Sequence, residues 1–270
     1  MTAMEMVTAS RVLPLPFGRR ASRVLERNLV HYRRFWWVVA SGLLEPLLYL
    51  LGIGFGVGSL VGGVPVGGGR TASYAVFVAP ALMASAAMNG AVYDSTFNLF
   101  YKLKHARVYD AVVATPVGVD DIALGEVMWA VVRGAIYAVG FVAAMAALGL
   151  LSSPWALLAV PAALLIGFAF AGLGSAGTTF MRSWQDFDLV NLALIPLFLF
   201  SATFFPITTY AEPLRLLVEL SPLYRGVDLL RSLTIGTVGL TALVDVLYLL
   251  ALGALGLAVT SRRLGRLLLT

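Results

Sequence analysis

From Gly134 to Met181 the chain carries no charged residue. One crossing of the hydrocarbon layer needs only about 20 apolar residues at about 1.5 Å each, so this run is long enough for two. Ser152-Ser153-Pro154 divides it with turn-favouring residues. The predicted spans on either side are Ile122 to Leu148 and Trp155 to Met181. The rest of the sequence agrees, with 60% hydrophobic and 12% charged residues against about 45–50% and about 25% in soluble domains. A soluble fold would lack the polar groups to cover its surface, so lipid must cover this one.

The same cut predicts further spans at Trp37 to Ser59, Ala72 to Phe97, Leu189 to Phe205 and Leu240 to Ser261. The expected fold is an all-α polytopic membrane protein with six transmembrane helices. Residues 1–36 form a cytoplasmic N-terminal segment, and residues 37–270 form a single transmembrane domain. Basic residues in short loops resist translocation, which sets the orientation. Arg11, Arg19, Arg20, Arg23, Arg27, Arg33 and Arg34 precede the first span, Lys102, Lys104 and Arg107 follow the second, Arg182 follows the fourth, and Arg262, Arg263 and Arg266 follow the last. The opposite loops hold Arg70, Arg215, Arg225 and Arg231. Both termini are therefore predicted in the cytoplasm of a bacterial-type membrane. A cleaved signal peptide is not expected, because the first apolar run follows a long charged leader.

Several chemistries are excluded. With no cysteine there is no disulfide, thiolate metal site or cysteine nucleophile. His31 and His105 lie outside the spans, and no His-Glu-x-x-His pattern accompanies them, so no metal or other cofactor is expected in this chain. Neither lysine follows the glycines of a nucleotide-binding loop, so ATP cannot be hydrolysed by that route. The alternating Gly52, Gly54, Gly56 and Gly58 lie inside an apolar span with no strand before them, and read as small-residue helix contacts. Gly167, Ala171 and Ser175 repeat that spacing. The chain is not expected to be an enzyme or to bind nucleic acid.

Three segments lie between or before the spans. From Phe17 to Trp36 apolar residues recur at three- and four-residue steps while Arg20, Arg23, Arg27 and Arg34 share another face, which predicts an interfacial helix meeting lipid headgroups. A solvated basic leader is the alternative. Residues 98–121 mix charge with apolar anchors and could dock a partner or serve only as a stop-transfer loop. Residues 206–239 predict two short helices separated by Ser221-Pro222, with Glu212, Arg215 and Glu219 on the first and Arg225, Asp228 and Arg231 on the second. They read as a re-entrant pair dipping into the outer leaflet, or as a surface hairpin.

Charges at membrane depth are costly and take partners. Glu45 is expected roughly 12 Å and Arg133 roughly 16 Å below the cytoplasmic interface, so they could pair across helices. Glu126 shares the face of Arg133, and Asp245 sits toward the outer end of the last span. These four residues either line a polar path or fix helix registration.

Over nearly its whole length the chain resembles the permease subunits of type-2 ABC exporters, the ABC-2 family, and in particular the nodulation-type and drug-resistance branch. The residues that carry the likeness are Leu44-Glu45-Pro46, the run Tyr74 to Pro80, Ala114-Thr115-Pro116, and Phe200-Ser201-Ala202-Thr203-Phe204-Phe205-Pro206 leading into Leu220-Ser221-Pro222-Leu223 and Leu230-Arg231-Ser232. The resemblance implies pairing with a second permease subunit, identical or homologous, and with two cytoplasmic ATPase subunits that bind ATP and magnesium. It further implies a coupling helix at Tyr101, Lys102, Leu103, Lys104, His105, Arg107, Tyr109 and Asp110, with the basic N-terminal helix beside it. Glu212, Arg215, Glu219, Tyr224 and Arg225 would belong to the re-entrant pair closing the external end, and the substrate would be lipid-like, glycolipid or a hydrophobic drug. From the residues alone, an ion-driven carrier or small channel using Glu45, Glu126 or Asp245 stays open, as does a membrane-embedded transferase.

Overall fold

The computed structural model describes residues 36–66 and 70–268, together with Ala21, Val24, Glu26 and Asn28, which are helical. Arg20, Arg23, Arg27 and Arg34, expected on the interfacial helix, lie outside the described residues. Val24 nonetheless sits so close to Gly125 that no side chain would fit there, which lays the N-terminal helical residues against a later helix.

Helix α1, Trp36–Tyr49, runs on through a π-helical stretch, Leu50–Gly56, and a 3₁₀ turn, Val57–Ser59. Pro46 removes a backbone donor and the alternating glycines lower helix propensity, so the helix is irregular where these residues concentrate. Gly54 and Gly58 pack on Ala75, Val78 and Tyr74, while Gly52 and Gly56 have open space around them. A short antiparallel pair, β1 Val64–Pro65 and β2 Thr71–Ala72, closes the loop that follows.

Helix α2, Tyr74–Tyr93, starts at Ser73, whose Oγ accepts from the Val76 N–H at 3.4 Å. It continues through π turns at Asp94–Asn98 and Tyr101–His105, so one continuous run reaches His105. The connection expected to begin at Asn98 therefore starts later. Lys102, Lys104 and His105 occupy the last turn, where positive charge meets the negative end of the helix dipole. Arg107 then adopts φ 44°, a left-handed conformation that costs a non-glycine residue about 1–2 kcal/mol, and turns the chain into the short α3, Val108–Val113.

Helix α4, Val119–Ala147, ends just before Ser152-Ser153-Pro154, and the next helical run resumes at Pro154 and continues as α5, Ala159–Thr178. The remaining helices are α6, Asp186–Leu199, α7, Glu212–Leu220, α8, Pro222–Ile235, and α9, Leu240–Leu268. Four runs among the described residues are long and apolar enough to cross a bilayer: Tyr74–His105, Val119–Ala147, Pro154–Thr178 and Leu240–Leu268. The described apolar part of the first expected span, Leu43–Ser59, is shorter. The fifth expected span, Leu189 to Phe205, is helical only to Leu199. It stops there because Ala202 is left-handed at φ 53° and its carbonyl accepts from Arg231 Nη2 at 2.9 Å instead of continuing a helix.

Helix α2 forms the centre, packed against α4, α5 and α8, with Val78, Ala79, Ala81 and Ala84 fully buried. Outside it, α5 and α9 cross backbone to backbone at Gly172, Gly253 and Gly256. Leu189, Leu192 and Ile195 on α6 and Leu243, Val244 and Leu247 on α9 are exposed. A second apolar cluster of Leu99, Tyr109, Ile122, Ala123 and Leu264 joins the end of the α2 run, α3, the start of α4 and the end of α9.

Candidate functional site

A cavity of about 490 Å³ opens between α1, α2, α4 and α6. It holds Glu45, Asp94 and Arg133 among apolar and aromatic walls. Arg133 lies about 14 residues into α4, roughly 21 Å along its axis. Its Nη1 donates to Asp94 Oδ1 at 2.9 Å and its Nε to the Tyr137 hydroxyl at 3.1 Å. The carboxylate that meets Arg133 is therefore Asp94 rather than Glu45, which lines the same cavity without touching it. The Asn98 amide also donates to Asp94.

Glu126 takes a partner from α2 as well. Its Oε2 accepts from Lys102 Nζ at 2.6 Å and from the Asn28 amide at 3.1 Å, and Lys102 donates in turn to Asn28 Oδ1 at 3.2 Å. Asp94 and Lys102 are about two turns apart on α2, as are Glu126 and Arg133 on α4, and the two helices run antiparallel. Each acid of one helix meets the base of the other. A shift by one turn would break both pairs and a shift by two would set like charges together, so the two pairs fix the register of α2 against α4. Asp94 is not among the charges singled out from sequence, although it lies inside the expected span Ala72 to Phe97; a charge three residues from the end of that span was the available signal.

The segment 97–105 is clamped to the loop between α5 and α6. Phe97 stacks on Phe187 with ring centroids 4.0 Å apart, and Phe100 meets Trp184 edge-on at 5.2 Å. Trp184 Nε1 donates to His105 Nε2 at 3.1 Å, and Tyr101 stacks on His105 at 6.1 Å. The loop itself is shaped by Asp186, whose Oδ2 accepts from the Arg182 and Ser183 N–H groups at 2.6 and 3.1 Å. Those backbone donors hold its carboxyl below the usual carboxylate range. That contribution is present above the ordinary carboxylate pKa and is lost as pH falls through the lowered one. Leu103 is half-buried against the second apolar cluster, Tyr109 is buried within it, and Lys104, Arg107 and Asp110 are exposed. Neither Trp184 nor Phe187 was singled out from sequence; aromatic residues in a short loop at a membrane boundary were the available signal.

At the opposite end Arg225 Nη1 donates to Asp245 Oδ1 at 3.2 Å, and Asp228 lies beside the fully buried Asp245. Arg231 Nε donates to the Phe77 carbonyl at 3.3 Å with its guanidinium 3.9 Å above the Phe77 ring, which ties α8 to the start of α2. Tyr224 is buried with Ala202 and Val218. Arg215 and Glu219 form an ion pair one turn apart at the half-buried edge of α7, and Glu212 is exposed. α8 buries Leu223, Val227 and Leu230 in the main core, while α7 leaves Leu216, Leu217 and Leu220 exposed.

The profile of the family described as ABC-2 type transporter matches residues 21–235. The chain belongs to this family. Similar proteins include Nodulation protein J of Rhizobium leguminosarum bv. trifolii, 32% identical over 79% of this chain and 80% of that protein. Nodulation protein J of Bradyrhizobium diazoefficiens is 30% identical over 77% and 78%, and that of Neorhizobium galegae 28% identical over 81% and 87%. As an ABC-2 protein the chain is an integral membrane subunit of a transporter, and membership of the family implies an ABC ATPase subunit as its partner.

Proposed function

We propose that this chain is the permease of an ATP-driven exporter moving an amphipathic substrate, lipid-like, glycolipid or hydrophobic and drug-like, out of the cytoplasmic leaflet. In this reading six spans cross with both termini cytoplasmic, α7 and α8 form a re-entrant pair at the external end, and the basic N-terminal helix of residues 1–36 lies at the inner interface. A second permease subunit completes the path, and two ATPase subunits carry ATP and magnesium. The burial of α8 beside the exposed leucines of α7 favours a membrane-inserted pair over a surface hairpin.

The observation that carries the reading is the double tether of the segment Tyr101 to Asp110. Lys102 binds it to Glu126 on α4, and the Trp184–His105 contact binds it to the loop that starts α6. Both α4 and α6 line the cavity. A push delivered to this segment by an ATPase would reach two cavity walls through packed rings and an ion pair, which transmit displacement because close-packed interiors compress little.

The test is purification of the complex in mild detergent. Replacing residues 102–107 with a glycine-serine run of equal length is expected to release the ATPase subunit and to lower transport at least about tenfold, with the spans still folded. Trp184→Ala is expected to keep the ATPase bound while transport falls several-fold, since it weakens the link to α6, leaving the Phe97–Phe187 stack, and spares the one to α4. Unchanged transport after replacement of the whole segment would defeat the coupling assignment. Ion-driven flux by the isolated chain would favour a secondary carrier instead.

A further inference from the structure

Glu45 stands in the cavity without an ion pair or hydrogen bond among the described residues, and it is exposed. The cation that could neutralise it, Arg133, is engaged by Asp94 and Tyr137. With Asp94 and Arg133 cancelling, the charged groups lining the cavity sum to about one negative charge, carried by Glu45. Such a carboxylate at membrane depth needs a partner that the described residues do not supply.

The surroundings of Glu45 narrow the partner. Tyr49 and Phe198 face each other from α1 and α6 with ring centroids 6.3 Å apart, and Tyr93 and Phe97 lie 6.0 Å apart on α2. All four line the cavity. The Tyr93 hydroxyl donates to Asn191 Oδ1 at 3.1 Å, which holds that ring in place. Aromatic faces attract cations, and more strongly when water is displaced. A volume of about 490 Å³ lies within the usual range for a drug-sized ligand. An anionic headgroup would meet Glu45 with no free base among the described residues lining the cavity to offset it.

We propose that this cavity binds an amphipathic organic cation, with Glu45 as counter-ion and the rings of Tyr49, Tyr93, Phe97 and Phe198 around the positive centre. The proposal deepens the exporter reading, on which it rests, by naming the charge class of the cargo. Glu45 is on this view a specificity-determining residue, since it discriminates between ligands of the same shape and opposite charge.

The experiment is equilibrium dialysis of radiolabelled tetraphenylphosphonium against the full chain in phosphatidylcholine nanodiscs, with empty nanodiscs subtracted. The wild type is expected to bind the cation saturably and Glu45→Gln at least about tenfold more weakly, with Glu45→Asp between them. Triphenylphosphine oxide, which is neutral, is expected to bind wild type and Glu45→Gln alike, and tetraphenylborate is expected not to bind. Equal phosphonium affinity in wild type and Glu45→Gln would overturn the proposal, as would saturable binding of tetraphenylborate. A matching elution profile and melting temperature for Glu45→Gln show that the fold is intact, as expected for an exposed side chain. Binding needs no ATPase, so loss of phosphonium binding in Glu45→Gln supports this site even if ATP-driven transport fails. ATP-driven transport by the complex of an anionic substrate alone, undiminished in Glu45→Gln, would sink the proposal and leave the exporter reading standing.

Discussion

Gly256→Leu is expected to leave almost no folded protein extractable from the membrane. A Cβ at Gly256 would fall 2.6 Å from the Gly172 carbonyl oxygen, and a Cβ at Gly172 would fall 2.6 Å from the Gly253 carbonyl oxygen. Both obstacles are backbone, so no side-chain rotation relieves them and the two helices must separate. Overpacking in a core costs about 1–3 kcal/mol and occasionally more, and backbone against backbone belongs at or above that upper end. In lipid the loss is not offset, because helix association there rests on close packing and interhelical hydrogen bonds rather than on exclusion of water. Against a total stability of about 5–15 kcal/mol this is a large fraction. Gly177→Leu on α5 is the control: Gly177 is exposed, nothing lies within 4 Å of its added Cβ, and it should extract and melt like the wild type. Wild-type yield and melting for Gly256→Leu in detergent would show that α5 and α9 do not cross at these glycines.

Asp94→Leu should destabilise the chain by about 3 kcal/mol, while the double change Asp94→Leu with Arg133→Leu recovers most of that loss. The Asp94 side chain is 2% exposed and that of Arg133 18%. Removing one member of a buried pair strands the other charge, at about 3–5 kcal/mol, whereas replacing both with apolar groups is often neutral. The partial exposure of Arg133 puts the single change at the low end. Unfolding of the four proteins by the same denaturant gives the coupling as a double-mutant cycle. If the two single changes simply add, Asp94 and Arg133 do not act as a pair and the register argument for α2 and α4 fails.

The membrane class, the turn at Ser152-Ser153-Pro154 and the separation of α7 from α8 at Ser221-Pro222 were all legible in the sequence. Each depends on residues adjacent in the chain: a local transfer free energy, a backbone donor removed by proline, or a serine capping a helix start. Serine 221 illustrates this, its Oγ accepting from the Tyr224 N–H at 3.4 Å. The charged residues Glu45, Glu126, Arg133 and Asp245 were also visible, since a charge well inside an apolar run stands out. Their partners were not. The sequence suggested Glu45 with Arg133, and Gly167 with Ala171 and Ser175 as a contact stripe, whereas the structure joins Arg133 to Asp94 and puts the close crossing at Gly172.

The reason is geometric. Successive residues of a helix rotate by about 100°, so the face each presents depends on how the helix is turned about its axis. A helix apolar all round carries no amphipathic stripe to reveal that rotation. Depth and rotation are set by neighbouring helices, through pairs such as Lys102 with Glu126 and close approaches such as Gly256 on Gly172. The sequence by itself determined that the chain lives in a membrane, that its helices break at Ser152-Ser153-Pro154 and Ser221-Pro222, and that Glu126, Arg133 and Asp245 needed partners. Only the tertiary structure decided which charges meet, which glycines touch and that Glu45 is left facing a cavity, because those depend on distances between residues far apart in the chain.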